Sequence, residues 1–275
     1  MMATTSDRDV IDRLSFAVEI AREAGEVTLR YFRRPDLEVE DKADRSPVTI
    51  ADRSAEELLR ERIGERFADD GIIGEEFGTA SGATGYDWTL DPIDGTKSFI
   101  HGVPLYTTLI AVLHKVNPCA GVIHAPALGE TLYAGNGGGC WYLGKNGGQP
   151  QQARVSNVKT LSDGLLLTSE IEGFREKSGV DRMDVFMRLQ RAARVARTWG
   201  DGYGYLMVAT GRAEVMIDPV MNLWDAAPLQ TIIEEAGGHF SDWQGNPTVH
   251  AGEAIATNGV VANEVLSITR QGGKP

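Results

Sequence analysis

The apolar positions of this chain change their period along its length. Val10, Leu14, Ala17, Val18, Ala21, Ala24, Thr28, Tyr31 and Phe32 recur at three- and four-residue steps. That spacing predicts a long amphipathic helix over residues 7–33, stopped before Pro35. Ala51, Ala55, Leu58, Leu59, Ile63 and Phe67 repeat the pattern and predict a second helix over 49–67. The polar stretch Glu40-Asp41-Lys42-Ala43-Asp44-Arg45-Ser46-Pro47 reads as a loop or ragged hairpin. From residue 71 the apolar runs shorten. Gly71-Ile72-Ile73-Gly74 and Tyr86-Asp87-Trp88-Thr89-Leu90 read as strands ending in acids. Runs at 105–114, 120–124, 131–134 and 140–143 read as further strands, separated by turn signals such as Asn117-Pro118 and Asn146-Gly147. An antiparallel meander is their simplest arrangement. Beyond residue 150, strands at 165–168, 195–198, 215–217 and 254–256 alternate with helices at 180–192, 202–210 and 225–236 and near 260–270. The pattern implies a layered α/β fold in two parts, an α+β part over residues 1–150 and an α/β part over 151–275.

Composition excludes more functions than folds. The 275 residues are 42% hydrophobic and 24% charged, which is globular and excludes disorder as the main state. With 27 Lys+Arg against 39 Asp+Glu, the net charge of −12 repels nucleic acid and anionic membrane. No apolar run approaches the ~18–20 residues that span a bilayer. Met1-Met2-Ala3-Thr4-Thr5-Ser6-Asp7 lacks the basic and apolar regions of a secretory signal. Cys119 and Cys140 are too few for a disulfide framework or a cysteine zinc site. The expectation is a soluble, acidic, cytoplasmic protein whose partner is a small molecule, with neither nucleic acid nor membrane involved.

Chemistry concentrates in three segments. In Gly74-Glu75-Glu76-Phe77 and Leu90-Asp91-Pro92-Ile93-Asp94-Gly95-Thr96-Lys97-Ser98, four acids follow apolar strands. Pro92 fixes one φ and Gly95 permits a tight turn, so the carboxylates and the Ile93 carbonyl can converge. An Asp-Gly pair on its own reads as a hairpin turn. Here the flanks are not two alternating strands, and the neighbouring acids favour a ligand site. Gly95-Thr96-Lys97-Ser98 then offers backbone N–H groups suited to phosphate. In Trp224-Asp225-Ala226-Ala227-Pro228, Asp225 reads equally as a helix N-cap and as a ligand, since one oxygen can do each. Asp52 falls in the first turns of the second helix, where surface charge is the plain explanation. Oxygen donors select Mg²⁺, Mn²⁺ or Ca²⁺ over Zn²⁺. The five histidines show no metal-ligand spacing. A near P-loop at residues 139–146 ends in Asn146 where Ser or Thr is needed, and Gly200-Asp201-Gly202-Tyr203-Gly204 is no dinucleotide fingerprint.

Gly74-Glu75-Glu76, Asp91-Pro92-Ile93-Asp94-Gly95-Thr96 and Trp224-Asp225-Ala226-Ala227, in this order and spacing, resemble the inositol monophosphatase superfamily of Mg²⁺-dependent, lithium-sensitive phosphatases. The resemblance covers nearly the whole chain. It implies an αβαβα sandwich of the inositol monophosphatase and fructose-1,6-bisphosphatase type, a homodimer, and two or three Mg²⁺ per site with Mn²⁺ as a substitute. By position it places metal ligands at Glu75, Asp91, the Ile93 carbonyl, Asp94 and Asp225, and phosphate-binding groups at Gly95 and Thr96. It also places Asp52 beside the Thr96 hydroxyl to activate water, so that Thr96, Asp52 and Glu75 form the catalytic set.

Arg197-Thr198-Trp199-Gly200-Asp201-Gly202 puts acidic and aromatic residues where inositol enzymes carry small polar ones. Asp218 stands at the family's substrate-hydroxyl position, and Ser98 replaces the usual Asn before Phe99. These departures resemble the histidinol-phosphatase branch, with Asp201, Asp218 and Gly202 as substrate-binding residues, the two acids facing a cationic substrate. Loop acids facing solvent are the alternative for Asp201 and Asp218. A broader inositol-1-phosphate or sugar-phosphate phosphatase is the second expectation. A catalytically silent metal- or phosphate-binding scaffold is the third, and the intact acid set argues against it.

Overall fold

The computed structural model describes residues 5–43, 45–145, 147–175 and 182–270. Helix α1 (Thr5–Leu29) buries Phe16, Ala17, Ile20, Ala21 and Ala24 along one stripe. A short antiparallel hairpin, β1 (Val39–Asp41) and β2 (Pro47–Thr49), leads into α2 (Ile50–Arg66), which buries Ala51, Ala55, Leu59 and Ile63. Then follow β3 (Gly71–Gly74), β4 (Gly78–Ala80), β5 (Tyr86–Asp94), the one-turn α3 (Thr96–Ile100), β6 (Thr107–His114), β7 (Asn117–Ala125), β8 (Glu130–Gly135), β9 (Cys140–Leu143) and β10 (Gln151–Gln152). These strands form an eight-stranded sheet in the order β10-β9-β8-β7-β6-β5-β3-β4. All of its pairings are antiparallel except that of β3 with β5. The meander expected from the sequence is therefore the run from β5 to β10.

The later chain alternates β11 (Leu165–Leu167), α4 (Met183–Ala192), β12 (Val195–Arg197), α5 (Gly202–Ala209), β13 (Val215–Asp218), α6 (Leu223–Glu235), β14 (His239–Ser241), β15 (Ala254–Thr257) and α7 (Ala262–Thr269). Its five-stranded sheet runs β12-β11-β13-β15-β14, with β11 parallel to both neighbours. Helices α1 and α2 cover one face of the large sheet. Helices α5 and α6 lie between the two sheets, where Leu206, Leu229, Ile232 and Ile233 join Leu109, Ile123 and Leu132 to Met216 and Phe240 in one core. Helices α4 and α7 cover the far face of the small sheet through Val185, Leu189, Val265 and Leu266. The layering is αβαβα. No described helix is long and apolar enough to cross a membrane.

Several boundaries differ from the periodicity. Helix α1 ends at Leu29, and the chain then turns through Arg33 at φ +62°. Asn117-Pro118 is not a turn. The β6–β7 hairpin turns one step earlier, at Lys115 and Val116, both at positive φ (+49° and +68°). Pro118 lies inside β7, where the register slips between Val112 and Leu113, and such an irregularity tolerates a residue with no N–H. Strand β5 continues past Leu90 to Asp94, with a register shift between Asp91 and Asp94 that accommodates Pro92 in the same way. Helix α6 begins at Leu223, two residues before the expected start. Strands β4, β10 and β14 carry no period of their own and were not expected. Residues 180 and 181 of the helix expected over 180–192, Asn146 of the Asn146-Gly147 turn and Asp44 of the polar loop lie outside the described residues.

One ion pair and one close packing contact fasten α1 to the sheet side. The Arg13 guanidinium reaches both oxygens of Asp70, at 2.8 and 2.9 Å, and lies 3.9 Å from the centroid of the Tyr86 ring. The buried His124 ring packs where a side chain on Gly25 would stand, its Nε2 only 2.6 Å from the Cβ that Gly25 lacks. Its Nδ1 faces the Glu130 carbonyl (3.2 Å) and the Thr131 hydroxyl (2.9 Å). Burial lowers the His124 pKa to about 4, the Glu130 carbonyl opposing and Arg22 assisting. The unfolded imidazole binds its proton near pH 6.5, so the stabilising contribution of neutral His124 is full above that pH and is lost as the pH falls towards 4. Over that window the loss is on the order of 3 kcal/mol. Urea unfolding of the wild type and His124→Gln across this range should show a smaller pH slope in the variant.

Candidate active site

The site lies where the two sheets and the middle helices meet. At the irregular end of β5, Asp91, Asp94 and, from the first turn of α6, Asp225 bring ligand oxygens within 4.8 Å of one another. Local structure orients each carboxylate. Asn222 is the N-cap of α6 and Asp225 its third residue, so the Asp225 Oδ2 accepts from the Asn222 N–H at 2.7 Å in a capping box. That leaves Oδ1 towards the cluster, and the N-cap position weighed for Asp225 belongs instead to Asn222, with Asp225 at the third helical position. Asp94 Oδ2 accepts from the Gly202 N–H at the start of α5 and from Thr107 Oγ1 at 3.0 Å. Asp91 is 3% exposed, and its Oδ1 has no hydrogen-bond donor. An orphaned carboxylate oxygen aimed into an all-oxygen cluster fits a hard cation.

The electrostatics follow from crowding. Burial raises Asp91 well above the ordinary carboxylate range, and Glu75, Asp94 and Asp225 push it further. Burial also raises Asp94, with Asp201 and Asp225 adding to the shift. Asp225 is raised to about 7, mainly by burial. Glu75 lines the same cleft from the turn after β3, its carboxylate drawn onto Lys42 at 2.7 Å. The same ammonium reaches Glu76 at 2.7 Å. Lys42 belongs to the polar hairpin and was not singled out in the sequence; its position between two motif acids emerges only from the fold.

Asp52 is not a surface charge. It is 1% exposed at the third position of α2, its Oδ2 accepting from the Thr49 N–H (2.8 Å) and the Thr49 hydroxyl (2.6 Å). Its Oδ1 lies 3.3 Å from Thr96 Oγ1, which is 3.0 Å from the Ile93 carbonyl. Burial raises the Asp52 pKa, and Thr49 opposes. The Ile93 side chain is buried against Ala51, Phe99 and Tyr106. Gly95 stands at φ +85°, and a Cβ there would come within 2.6 Å of Asp201 Oδ2. Only glycine serves both demands. The first-turn N–H groups of α3 that follow have no carbonyl of their own helix to bind.

A cleft of about 600 Å³ opens from these residues and is bounded on its other side by Ser169, Glu170, Trp199, Asp201 and Val220. Asp201 precedes α5, and burial raises its pKa. Asp218 closes β13 and is 3% exposed; its oxygens accept from the Ser169 N–H and hydroxyl and, at 3.0 Å, from Tyr205. Asp218 is therefore not a loop group facing solvent, whereas Asp201 is half-buried in the bend before α5 and lines the open cleft. Ser169 and Glu170 escaped the sequence reading, although residues just beyond the C-terminal end of a parallel strand, here β11, are where α/β folds place ligand contacts. A larger surface groove of about 960 Å³ between α1 and the β6–β7 and β8–β9 turns holds none of these residues.

This layering, with an acid-lined cleft between the sheets, is that of the phosphoric monoester hydrolases to which the chain is similar. The profile described as the inositol monophosphatase family matches residues 9–273, and the chain belongs to that family. A histidinol-phosphatase of Chlorobaculum parvum is 42% identical over 257 residues, 93% of this chain and 96% of that one. A histidinol-phosphatase of Streptomyces coelicolor is 38% identical over 96% of this chain and 98% of its own. The solved structure of an IMPase from Thermotoga maritima superposes with a TM-score of 0.83 at 30% identity, covering 94% and 97% of the two chains.

The carboxylate crowding predicts a stability signature. Asp94→Asn removes one of the repelling charges and keeps an acceptor for Gly202 and Thr107. In a chelator its Tm should rise by a few degrees, at roughly 2–4 °C per kcal/mol for a chain of this size. Any further rise that an added hard divalent cation gives the wild type should be largely lost. Thermal scans with and without the cation measure both.

Proposed function

We propose that the chain hydrolyses L-histidinol phosphate to L-histidinol and phosphate, a step of histidine biosynthesis, with Mg²⁺ as its cofactor and Mn²⁺ as a substitute. The observation that carries this reading is the Asp91–Asp94–Asp225 cluster with the orphaned Asp91 oxygen, set beside the Asp52–Thr96 contact in one cleft. Glu75, Asp91, the Ile93 carbonyl, Asp94 and Asp225 would hold the cations, two or three in all. Bound there, the cations neutralise phosphate charge and lower the pKa of a water.

The chain's own groups do the rest. The N–H groups at Gly95 and Thr96 cradle phosphate oxygens and orient the ester. Thr96 Oγ1 takes a proton from the attacking water as it gives its own to Asp52, whose raised pKa suits it to accept one. Water adds to phosphorus, the P–O bond to the alcohol breaks, the leaving alkoxide takes a proton from solvent water, and Asp52 returns the proton it accepted to solvent. Phosphoryl transfer of this kind depends on positioning and charge neutralisation more than on covalent help from the protein.

The choice of substrate rests on the relatives' names and on the cleft's far side. No side-chain donor among the described residues reaches the Asp201 carboxylate, which leaves it free for an ammonium. Asp218 is already bound by Ser169 and Tyr205, so it acts behind Asp201 at the same subsite. A broader inositol-1-phosphate or sugar-phosphate activity is the second reading, favoured by the likeness to the Thermotoga maritima IMPase.

Thr96→Ala should lower kcat by about 10²- to 10⁴-fold while cation affinity changes little. Near-wild-type turnover in both Thr96→Ala and Asp52→Ala would exclude this proton path. Asp201→Asn should lower kcat/KM for histidinol phosphate by about 10- to 100-fold, as expected for a lost charge-assisted hydrogen bond. Its activity on p-nitrophenyl phosphate, which has no ammonium, should be nearly unchanged. A wild-type kcat/KM for inositol-1-phosphate equal to or above that for histidinol phosphate would move the second reading to first place.

A further inference from the structure

Trp199 is 42% exposed, yet it lines the catalytic cleft from the segment between β12 and α5. Trp88, Trp141 and Trp243 each donate their indole N–H to Asp70, Gly138 or Asp218. Trp199 has no such acceptor and no aromatic neighbour among the described residues. Val103 (39% exposed) and Val220 (51% exposed) line the same cleft. The cleft therefore has carboxylates at its floor and, beside the exposed Lys97–Glu170 ion pair, an indole and two valines at its rim.

The neighbourhood of Asp201 carries the argument. Its carboxylate stands against Gly95 at the phosphate end, so closely that a Cβ on Gly95 would lie 2.6 Å from Asp201 Oδ2. Trp199 precedes Asp201 by two residues, a span of at most about 7 Å. Anion-binding turn, carboxylate and indole thus line one cleft within a short reach of one another. Histidinol phosphate has a group for each: phosphate at one end, ammonium on the middle carbon, imidazole at the other end. A polyol phosphate has no flat apolar face to set against an indole, whereas a heteroaromatic ring stacks on it, more strongly when protonated.

We infer that Trp199 is the platform for the substrate's imidazole ring and so a specificity-determining residue of this cleft. The inference rests on the histidinol-phosphate reading and goes beyond it by naming what recognises the ring. Trp199 touches the part of the substrate remote from phosphorus, so it acts on binding and leaves the chemical step alone.

The test compares wild type, Trp199→Ala and Trp199→Phe on histidinol phosphate, on serinol phosphate (the ammonium without the ring) and on glycerol 2-phosphate. Trp199→Ala should raise KM for histidinol phosphate about tenfold, with kcat within about twofold, and Trp199→Phe should restore most of the loss. KM for the two ringless esters should be unchanged. Histidinol alone, with no phosphate, should alter the intrinsic fluorescence of the wild type and not that of Trp199→Phe. If the wild type favours histidinol phosphate and Trp199→Ala keeps that preference, the platform is overturned and the proposed function stands. Equal losses on all three esters, or a fluorescence change that survives in Trp199→Phe, also overturn the platform. If the wild type shows no preference for the ring-bearing ester, the proposed function falls and takes this inference with it.

Discussion

Mutual repulsion among Asp91, Asp94 and Asp225 is the constraint on which the arrangement of this molecule turns. With oxygens within 4.8 Å, each ionised pair costs about 3–4 kcal/mol at an effective dielectric near 20. The chain counters part of this with donors, from Gly202 and Thr107 on Asp94 and from Asn222 on Asp225. Each of those contacts takes one oxygen of its carboxylate and leaves the other facing the cluster. Asp91 has no such relief at Oδ1. The residual strain is a preference for positive charge, built by the same packing that folds the chain.

That packing explains why five layers are needed. Asp91 and Asp94 belong to the large sheet, the Gly202 donor to α5, and Asp225 and Asn222 to α6. Only because α5 and α6 lie between the sheets do their N-terminal ends meet the irregular end of β5. The approach is close: Gly121 in β7 has no side chain because the backbone of Pro228 in α6 occupies that space. On the opposite side, the Arg13–Asp70 contact fixes α1 against the large sheet, and the capping box of α2 holds Asp52 towards Thr96.

The long helices and the metal-type acids were legible in the sequence because periodicity and dense motif chemistry are both local signals. Asp91-Pro92-Ile93-Asp94-Gly95-Thr96 is one continuous segment, the end of β5 and the start of α3, so two of the three cluster acids are neighbours before folding begins. What was not legible depends on partners distant in the chain. From its local surroundings Asp52 read as a surface charge at a helix start, and the family resemblance alone set it beside Thr96, 44 residues away, where the fold brings the two together. Lys42 looked like loop polarity until Glu75 and Glu76 were brought to it. Strands of two or three residues such as β4, β10 and β14 are held by their neighbours in the sheet and leave no period to read. Asn117-Pro118 misled because proline marks turns in isolated peptides, whereas here a register slip absorbs it and two positive-φ residues make the turn.

The position of α6 also bears on how the chain is made. Its apolar face covers strands β5 to β8, which end at Gly135, but the helix itself comes from Leu223–Glu235. A ribosome adding about 5–20 residues per second needs roughly 5–20 s to cross that interval. Throughout it, the inner face of the large sheet has been synthesised without the helix that will cover it, while its outer face can already pack on α1 and α2. The half-finished chain is therefore one-sided, a sheet with one greasy face bare to water or to a chaperone. The last acid of the cluster arrives on the same helix that ends this exposure, so closing the core and completing the charge cluster are a single event in the life of the nascent protein.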